Sequence, residues 1–451
     1  MPHRVLALGF SGGGDSTALL HALRAAFPDA ELHAFVVDHG LRADSAAEAN
    51  QAAAAARQAG AQAQILRWRT PRPSQAAARR ARHVLLARAA QAVGAEILCL
   101  GHTLDDRIET VRMRQARTGP DYRLAGPGWL DPSPVWPEGA GLTIARPLLA
   151  VRRGDLRAYL ECLGVSWIED PSNVDQAYER VRVRRSKLTA NAEADLLRRS
   201  DAARRRGEDL RAAAADLIAR AVSWTRWGGA RLDVSAIRAA EPAAVERALD
   251  ALVLAVSGHD RPPEPAALVR LRAALTGGEA ATLAGAHLTA DGVMGRDAGA
   301  AGRCNGAPAA APILVRAGEA CVFDGRWAVR ASHRLRVGFF GERSAIAGAD
   351  IAPSLRSGLA ALFDPESGER LAVLGVHAIC SEDATLLCPK RIEARLLPRR
   401  APTWFDAKKP AAVIDAVLAK AAGKANITLG CDNPVTVQAA LDVSRGEEEN
   451  R

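Results

Sequence analysis

The first 115 residues alternate short stretches that are apolar throughout with longer stretches apolar on one side. VLALGF (5–10), LHAFVVD (32–38), AQILRW (63–68) and EILCLG (96–101) are the short ones. Between them, amphipathic spacing predicts a helix from Ser16, a second over Asp44 to Gln58, a third over Ser74 to Val93 and a fourth from Leu104. Strands apolar on both faces, alternating with helices, mean a parallel sheet covered by helices on each side. Phe10, Asp38 and Gly101 then end their strands along one sheet edge, where proteins of this class place ligands.

The pattern changes twice more. A Pro/Gly/Trp-rich loop (126–142) precedes RPLLAVRRGDLRAYLECLGVSWIEDPSN, and residues 180–212 are strongly basic and helical in flavour, either a linker helix with a solvated face or an RNA-facing one. A mainly helical stretch reaches about residue 275. From about 280, short alternating runs broken by glycine (ATLAGAHLTADGVMGR, ACVFDGRWAVR, LAVLGVHAI) predict a β-rich region. The expected fold is α/β: a parallel-sheet N-terminal domain over 1–190, a helical middle domain over 191–280, and a mixed, β-rich C-terminal region over 281–451.

With 451 residues, 48% of them hydrophobic, the chain has material for two or three domains with real cores. No apolar run approaches the roughly 20 residues needed to cross a bilayer, and the start shows no signal-peptide pattern, so a cytoplasmic protein with no membrane partner is expected. Cys99, Cys162, Cys304, Cys321, Cys380, Cys388 and Cys431 never fall in Cys-x-x-Cys spacing, which argues against a zinc ribbon, an iron–sulfur site or a disulfide framework. The net charge of +9 suits a polyanionic partner, although the excess of Arg over Lys and the abundance of Ala reflect compositional bias as much.

Candidate chemistry concentrates at the predicted sheet edge. After the first strand, Ser11, Gly12, Gly13, Gly14, Asp15 and Ser16 form a glycine triplet followed by an acid and a hydroxyl at a helix start. Successive backbone N–H groups and the positive end of the helix make a nest for an anion, and glycine permits the close approach. The spacing is neither a Walker A loop nor a dinucleotide turn. After the fourth strand comes GHTLDDRIET (101–110). Helical spacing puts Asp106 and Glu109 on one face, and Asp105 and Glu109 likewise. Like charges so placed call for a cation nearby, whether magnesium, a substrate amine or an arginine, or else they form a solvated acidic first turn favoured by the helix dipole. His102, beside those acids, is read as a phosphate or adenylate contact or as a structural histidine. Asp38 is read either as orienting ATP or lysine or as a helix or turn cap.

Ser-Gly-Gly-x-Asp-Ser after a first strand resembles the PP-loop of the ATP pyrophosphatases. VVDHGLRADSAAEA (36–49), GHTLDDRIET, RPLL (146–149) and WIEDPSNVDQAYERVRVR (167–184) follow in the order and spacing of the tRNA(Ile)-lysidine synthetases, which the chain resembles over at least residues 1–185. The resemblance implies ATP and magnesium as cofactors, with Ser11 and Ser16 as hydroxyl donors and Asp15, Asp105 and Asp106 as magnesium candidates. It implies tRNA(Ile) with a CAU anticodon and free L-lysine as partners, with a homodimer as one arrangement. The C2 oxygen of an anticodon cytidine is adenylated with loss of pyrophosphate, and the lysine ε-amine then displaces AMP. That amine has a reference pKa of about 10.4, so a carboxylate must accept its proton. Asp106 and Glu109 are the candidates for magnesium, lysine and proton handling, with roles undivided. Arg79 and Arg82 match the family's Ala-Arg-x-x-Arg helix as adenylate or RNA contacts; surface solubility is the plainer reading of either.

The chain departs from the family pattern after the acidic motif. Arg107 stands for the usual Gln, Arg112 and Gln115 replace apolar residues, Thr118-Gly119-Pro120 replaces Gly-Ser-Gly, and Val181 replaces an Asn. Two other readings compete. A PP-loop tRNA thiolase needs cysteines near the loop edge, where the N-terminal half offers only Cys99 and Cys162. A non-catalytic RNA-binding relative has no reason to keep both SGGGDS and GHTLDDRIET.

Overall fold

The computed structural model describes residues 4–41, 44–70, 74–116, 124–169, 183, 188–297, 299, 311–346, 349–377, 383–397 and 401–421. These fall into two compact units, one of residues 1–205 with 399–451 and one of residues 206–398.

The first unit is built on a six-stranded sheet: β1 (Val5–Phe10), β2 (Glu31–Asp38), β3 (Gln62–Arg67), β4 (Ile97–Leu100), β5 (Leu130–Pro132) and β6 (Thr143–Ala145). Their spatial order is β3-β2-β1-β4-β6-β5. All pairs are parallel except the outermost, β5 with β6. β1, β2 and β4 are buried almost throughout, whereas β3, at the sheet edge, alternates exposed and half-buried positions. An edge strand has a neighbour on one side only, which the apolar run AQILRW does not reveal. β5 lies inside the Pro/Gly/Trp-rich segment expected to be loop, on the margin of the sheet where proline is tolerated.

Helices α1 (Gly14–Ala26), α2 (Ser45–Gln58), α3 (Gln75–Ala92), α4 (Leu104–Gln115) and α5 (Arg153–Cys162) cover the sheet. α1 starts at Gly14 rather than Ser16, so Asp15 and Ser16 lie in its first turn. One core packs Leu19, Leu20 and Leu23 of α1 with Leu156, Tyr159 and Leu160 of α5 and with Ala52, Ala53 and Ala56 of α2. A second, on the opposite face, joins Phe35, Leu98 and Ile144 to Leu86 and Ala90 of α3. Because the chain runs β1, β2, β3 to one side and returns with β4 to the other, the sheet order reverses between β1 and β4. A crevice opens at the strand C-termini at such a reversal.

A long helix, α6 (Ala190–Ala221), carries the basic stretch across residue 205, where one unit gives way to the other. The second unit holds α7 (Val234–Arg238), α8 (Pro242–Ser257), α9 (Pro265–Gly277), α10 (Pro353–Arg356) and α11 (Cys388–Leu396) with three sheets. One sheet runs in the order β7 (Val222–Trp224), β8 (Ala230–Leu232), β11 (Val293–Arg296), β10 (Ala286–Leu288), β9 (Ala281–Leu283). It therefore joins strands from both sides of residue 280, so contacts divide the chain differently from the segments 1–190, 191–280 and 281–451. The other two sheets are antiparallel and formed after residue 312. The last described helix, α12 (Lys409–Ala421), belongs to the first unit. Among the described residues no helix is long and apolar enough to cross a membrane.

Candidate active site

The loop after β1 is held by its own side chains. Ser16 Oγ donates to the Gly13 carbonyl at 2.9 Å and accepts from the Ser11 amide at 3.2 Å, and Thr17 Oγ1 donates to the Gly12 carbonyl at 3.2 Å. Gly12 has φ of +75°, and a Cβ there would stand 2.7 Å from Ile168 Cδ1, so both backbone and space require glycine. The Ile168 amide donates to the Gly12 carbonyl at 2.9 Å, laying the segment after α5 against the loop. No side chain caps α1 at Gly13, so the first amides of the helix face the crevice.

The acidic helix is anchored separately. Asp106 Oδ2 accepts from the Thr103 amide at 2.8 Å and from Thr103 Oγ1 at 3.0 Å, while the Asp106 amide donates back to Thr103 Oγ1 at 3.3 Å. This is a capping box, and it spends one carboxylate oxygen on the fold. Asp106 and Glu109 are both buried, at 7% and 4% exposure, so their charges need an answer from the protein.

That answer is Arg153, the first residue of α5. The Leu104 amide donates to the Val151 carbonyl at 3.0 Å, tying the start of α4 to the turn before α5. The Arg153 amide donates to Asp105 Oδ2 at 2.8 Å. Its guanidinium places Nε 3.1 Å from Asp15 Oδ2, Nη2 3.2 Å from Asp106 Oδ1 and Nη1 3.9 Å from Glu109 Oε1. One cation thus joins the loop after β1 to the helix after β4. Burial pushes the Asp15 carboxyl above its ordinary value while Arg153 pulls it down. Burial works against the charge of Arg153, but Asp15, Asp106 and Glu109 outweigh it and raise its pKa.

A cavity of about 570 Å³ lies over this junction, a size suited to a nucleotide. Ser11, Gly13, Gly14, Asp15, Arg82 and Arg153 line it, with His39 and Phe10 at the strand ends and Trp167 opposite the loop. Gly12, Ser16, Asp38, Arg79, His102, Asp105, Asp106 and Glu109 are not among its lining residues. Gly12 and Ser16 build the loop from within, and the acids reach the cavity through Arg153. Asp38 Oδ1 accepts from the Gly40 amide at 3.0 Å and from Ser45 Oγ at 2.8 Å, the geometry of a turn cap. Arg79 is exposed on α3, whereas Arg82 is half-buried, and burial and then Arg79 lower its pKa. His102 sits just beyond β4, half-buried.

Sequence reasoning missed Arg153, His39 and Trp167. For Arg153 a signal existed, since the acidic face demanded a cation and arginine was one of three candidates. Nothing local distinguished it in so Arg-rich a chain. Burial lowers the pKa of His39, as does Arg82, and His39 Nδ1 is buried without a hydrogen-bond partner among the described residues. The motif WIEDPSN beyond Glu169, and the ERVRVR segment apart from Val183, lie outside the described residues, as do Thr118, Gly119, Pro120 and Val181.

Two departures from the family pattern have partners. Arg107 pairs with Asp201 of α6, and Arg112 Nη1 donates to the Val183 carbonyl at 2.7 Å. Ser200 Oγ accepts from the Gly126 amide at 3.0 Å, and Leu196 packs against Ile108 and Val111. Arg146 of RPLL holds Asp131 Oδ2 at 2.6 Å and the Gly128 carbonyl at 2.9 Å, which fixes the β5 margin. Cys99 is fully buried in β4, and burial pushes its thiol up, away from nucleophilic use.

A PP-loop domain family matches residues 1–190. The chain is 39% identical over 333 residues to a tRNA(Ile)-lysidine synthase of Caulobacter vibrioides, covering 72% of this chain and 73% of that protein. It is 38% identical to a synthase of the same name from Hyphomonas neptunium, covering 64% and 81%. Among solved structures, a U34-tRNA thiolase of Methanococcus maripaludis with its [4Fe-4S] cluster matches 47% of this chain and 73% of that one, at 19% identity and a TM-score of 0.37. A likeness at that level carries no argument.

Proposed function

The chain belongs to the tRNA(Ile)-lysidine synthase family of ATP-dependent ligases, and from that premise we propose how its residues divide the reaction. ATP lies in the 570 Å³ cavity with its phosphates against the Gly13 and Gly14 amides and the start of α1. The C2 oxygen of the anticodon cytidine attacks the α-phosphorus, and the bond from that phosphorus to the bridging oxygen breaks, releasing pyrophosphate. The ε-amine of free L-lysine then attacks C2. The C2–O bond breaks, AMP leaves, and one amine proton passes to a carboxylate.

The observation that carries this reading is the bridge from Asp15 through Arg153 to Asp106, at 3.1 and 3.2 Å. It brings the phosphate-binding loop and the acidic helix to one point. Asp106 is fixed by its helix cap, so we assign it to orienting Arg153 and the incoming amine, and assign proton acceptance to Glu109. Arg82 and His39 contact the adenylate end of the cavity. Asp38 shapes the turn behind it; we assign His102, just beyond β4, to the phosphate side and the exposed Arg79 to RNA.

Among the described residues no group of three or more His, Cys, Asp or Glu is placed to hold a metal alone. A magnesium ion carried in on the triphosphate needs only one or two carboxylates, and Asp15, which lines the cavity, fits that requirement, with Asp106 held behind it across Arg153. When bound there it would offset charge on the departing pyrophosphate, with Asp105 placed behind. The segments 191–280 and 281–451 are assigned to holding the tRNA body.

The test is Glu109→Gln, given ATP, magnesium, labelled lysine and a CAU-anticodon transcript. Pyrophosphate release with adenylated tRNA accumulating and no label in the RNA is expected. Label transfer at the parent rate would remove Glu109 from proton handling.

A further inference from the structure

We infer that residues 401–421, near the end of the chain, are a working part of the ATP site: they hold α1 and α5 at the spacing that lets Arg153 reach Asp15. This rests on the reading above in which the bridge through Arg153 joins the phosphate-binding loop to the acidic helix. α12 packs on both α1 and α5, which also pack on each other. Its Ile414 is fully buried, and Ala411, Val413 and Val417 are nearly so, in the same core as Leu19, Leu20 and Leu23 of α1 and Leu156, Tyr159 and Leu160 of α5.

The segment leading into α12 clamps the far end of α1. Phe405 stacks on Phe27 with ring centres 5.2 Å apart and planes at 18°, and Trp404 meets Phe27 edge-on at 6.0 Å. The Arg4 guanidinium lies over the Trp404 ring at 5.8 Å and Lys409 Nζ over the Phe27 ring at 5.9 Å, so the strand that feeds the loop is gripped as well. On the other side, burial and then the charge of Asp155, in the first turn of α5, raise the carboxyl of Asp415.

Asp15 stands in the first turn of α1 and Arg153 opens α5. Their contact is therefore set by how two helices lie against each other, and close-packed interiors pass such displacements on rather than absorbing them. Among the described residues, none of α12 lines the cavity. Its side chains position Arg153 and do not react.

The experiment is a double-mutant cycle in the full-length protein between Phe405→Ala and Arg153→Ala, with kcat and KM for ATP and for tRNA measured per folded molecule. Misplacing a positioning group by about 1 Å can cost up to about 100-fold, so a partial shift predicts a roughly tenfold fall in kcat/KM for ATP in the parent background. The tRNA KM should change by less than twofold. Phe405→Leu, which refills most of the volume, should recover the parent value to within about twofold. In the Arg153→Ala background, Phe405→Ala should cost less than twofold, because the contact it protects is already gone. Equal losses in both backgrounds, or no loss in the parent, would overturn the inference and leave the role of Arg153 standing. An Arg153→Ala enzyme with parent kcat/KM would overturn both. Should Phe405→Ala fail to fold, Ile414→Val probes the same helix with one methylene removed, and the same comparison of backgrounds decides.

Discussion

Replacing Arg153 by alanine removes a guanidinium lying 3.1 Å from Asp15, 3.2 Å from Asp106 and 3.9 Å from Glu109. At an effective dielectric near 20, a pair of unit charges at about 4 Å is worth about 4 kcal/mol before desolvation is counted. The Arg153 side chain keeps 22% exposure, which weakens each pair, while the buried Glu109 and Asp106 carboxylates have little water to turn to. Removing one partner of a buried pair costs about 3–5 kcal/mol, so a loss of about 3 kcal/mol is expected for the ligand-free protein at pH 8. For a unit of this size that is roughly 6–12 °C in melting temperature. The deficit should depend on pH with a definite sign. The Asp15 carboxyl is already raised by burial and held down by Arg153, so it rises further in the variant. A folded-state value above the unfolded one means the folded state binds more protons. Stability is then full below the unfolded value and lost as pH rises through the folded one. The gap between variant and parent therefore narrows as pH falls from 8 toward the ordinary carboxylate range. A series of thermal melts of both proteins from pH 8 down to about pH 4, at fixed ionic strength, checks this. A variant melting within 2 °C of the parent at pH 8, or a deficit unchanged by pH, would refute the reasoning. Arg153→Lys keeps the charge without the planar fork and should recover only part of the loss.

Other substitutions probe the surroundings. At Gly101 a Cβ would sit 3.1 Å from the Asp15 carbonyl oxygen and 3.2 Å from the Ser16 nitrogen, backbone atoms that cannot swing aside. Gly101→Ala should therefore raise the KM for ATP by about tenfold through displacement of the loop, read from steady-state kinetics. Gly12→Ala faces both the φ of +75° and Ile168, and a cost of about 1–3 kcal/mol with loss of nucleotide binding in calorimetry is expected. Arg107→Gln gives up a partly exposed pair with Asp201 and should lower stability by no more than about 1 kcal/mol, measurable by urea titration. His83, on α3, is held neutral with its pKa down to about 4, by burial first and then by Arg79, Arg82 and Arg146. A depressed histidine gives its stability above the unfolded value near 6.5 and loses it as pH falls toward 4. His83→Gln should flatten the melting curve against pH in that window, and an unchanged slope would remove His83 as its cause.

The strand–helix alternation, the loop and the acidic helix were all legible because each is a local pattern: a fully apolar run, a glycine triplet, an acid pair at helical spacing. Arg153 was not, because its role is decided by the turn at Val151 that docks α5 against α4, a contact far apart in sequence. The same limit hid what Arg107 and Arg112 do, since Asp201 and the Val183 carbonyl come from later chain segments. The capping duty of Asp38 could be posed as an alternative from sequence, whereas that of Asp106 was not, and only the structure shows which oxygens are spent. The return of α12 to the first unit has no local signature. Its apolar face predicts burial without naming the surface that buries it.

The first unit is assembled from two stretches of chain, with residues 206–398 inserted between them. Synthesis runs from one end, so a nascent chain still on the ribosome pairs β1, β2 and β4 early and must wait for the last stretch. Phe27 remains without Trp404 and Phe405 against it until the whole second unit has emerged. The apolar flank so exposed is a transient target for chaperones, and a message truncated anywhere in the second unit yields a recognisable sheet with an open side.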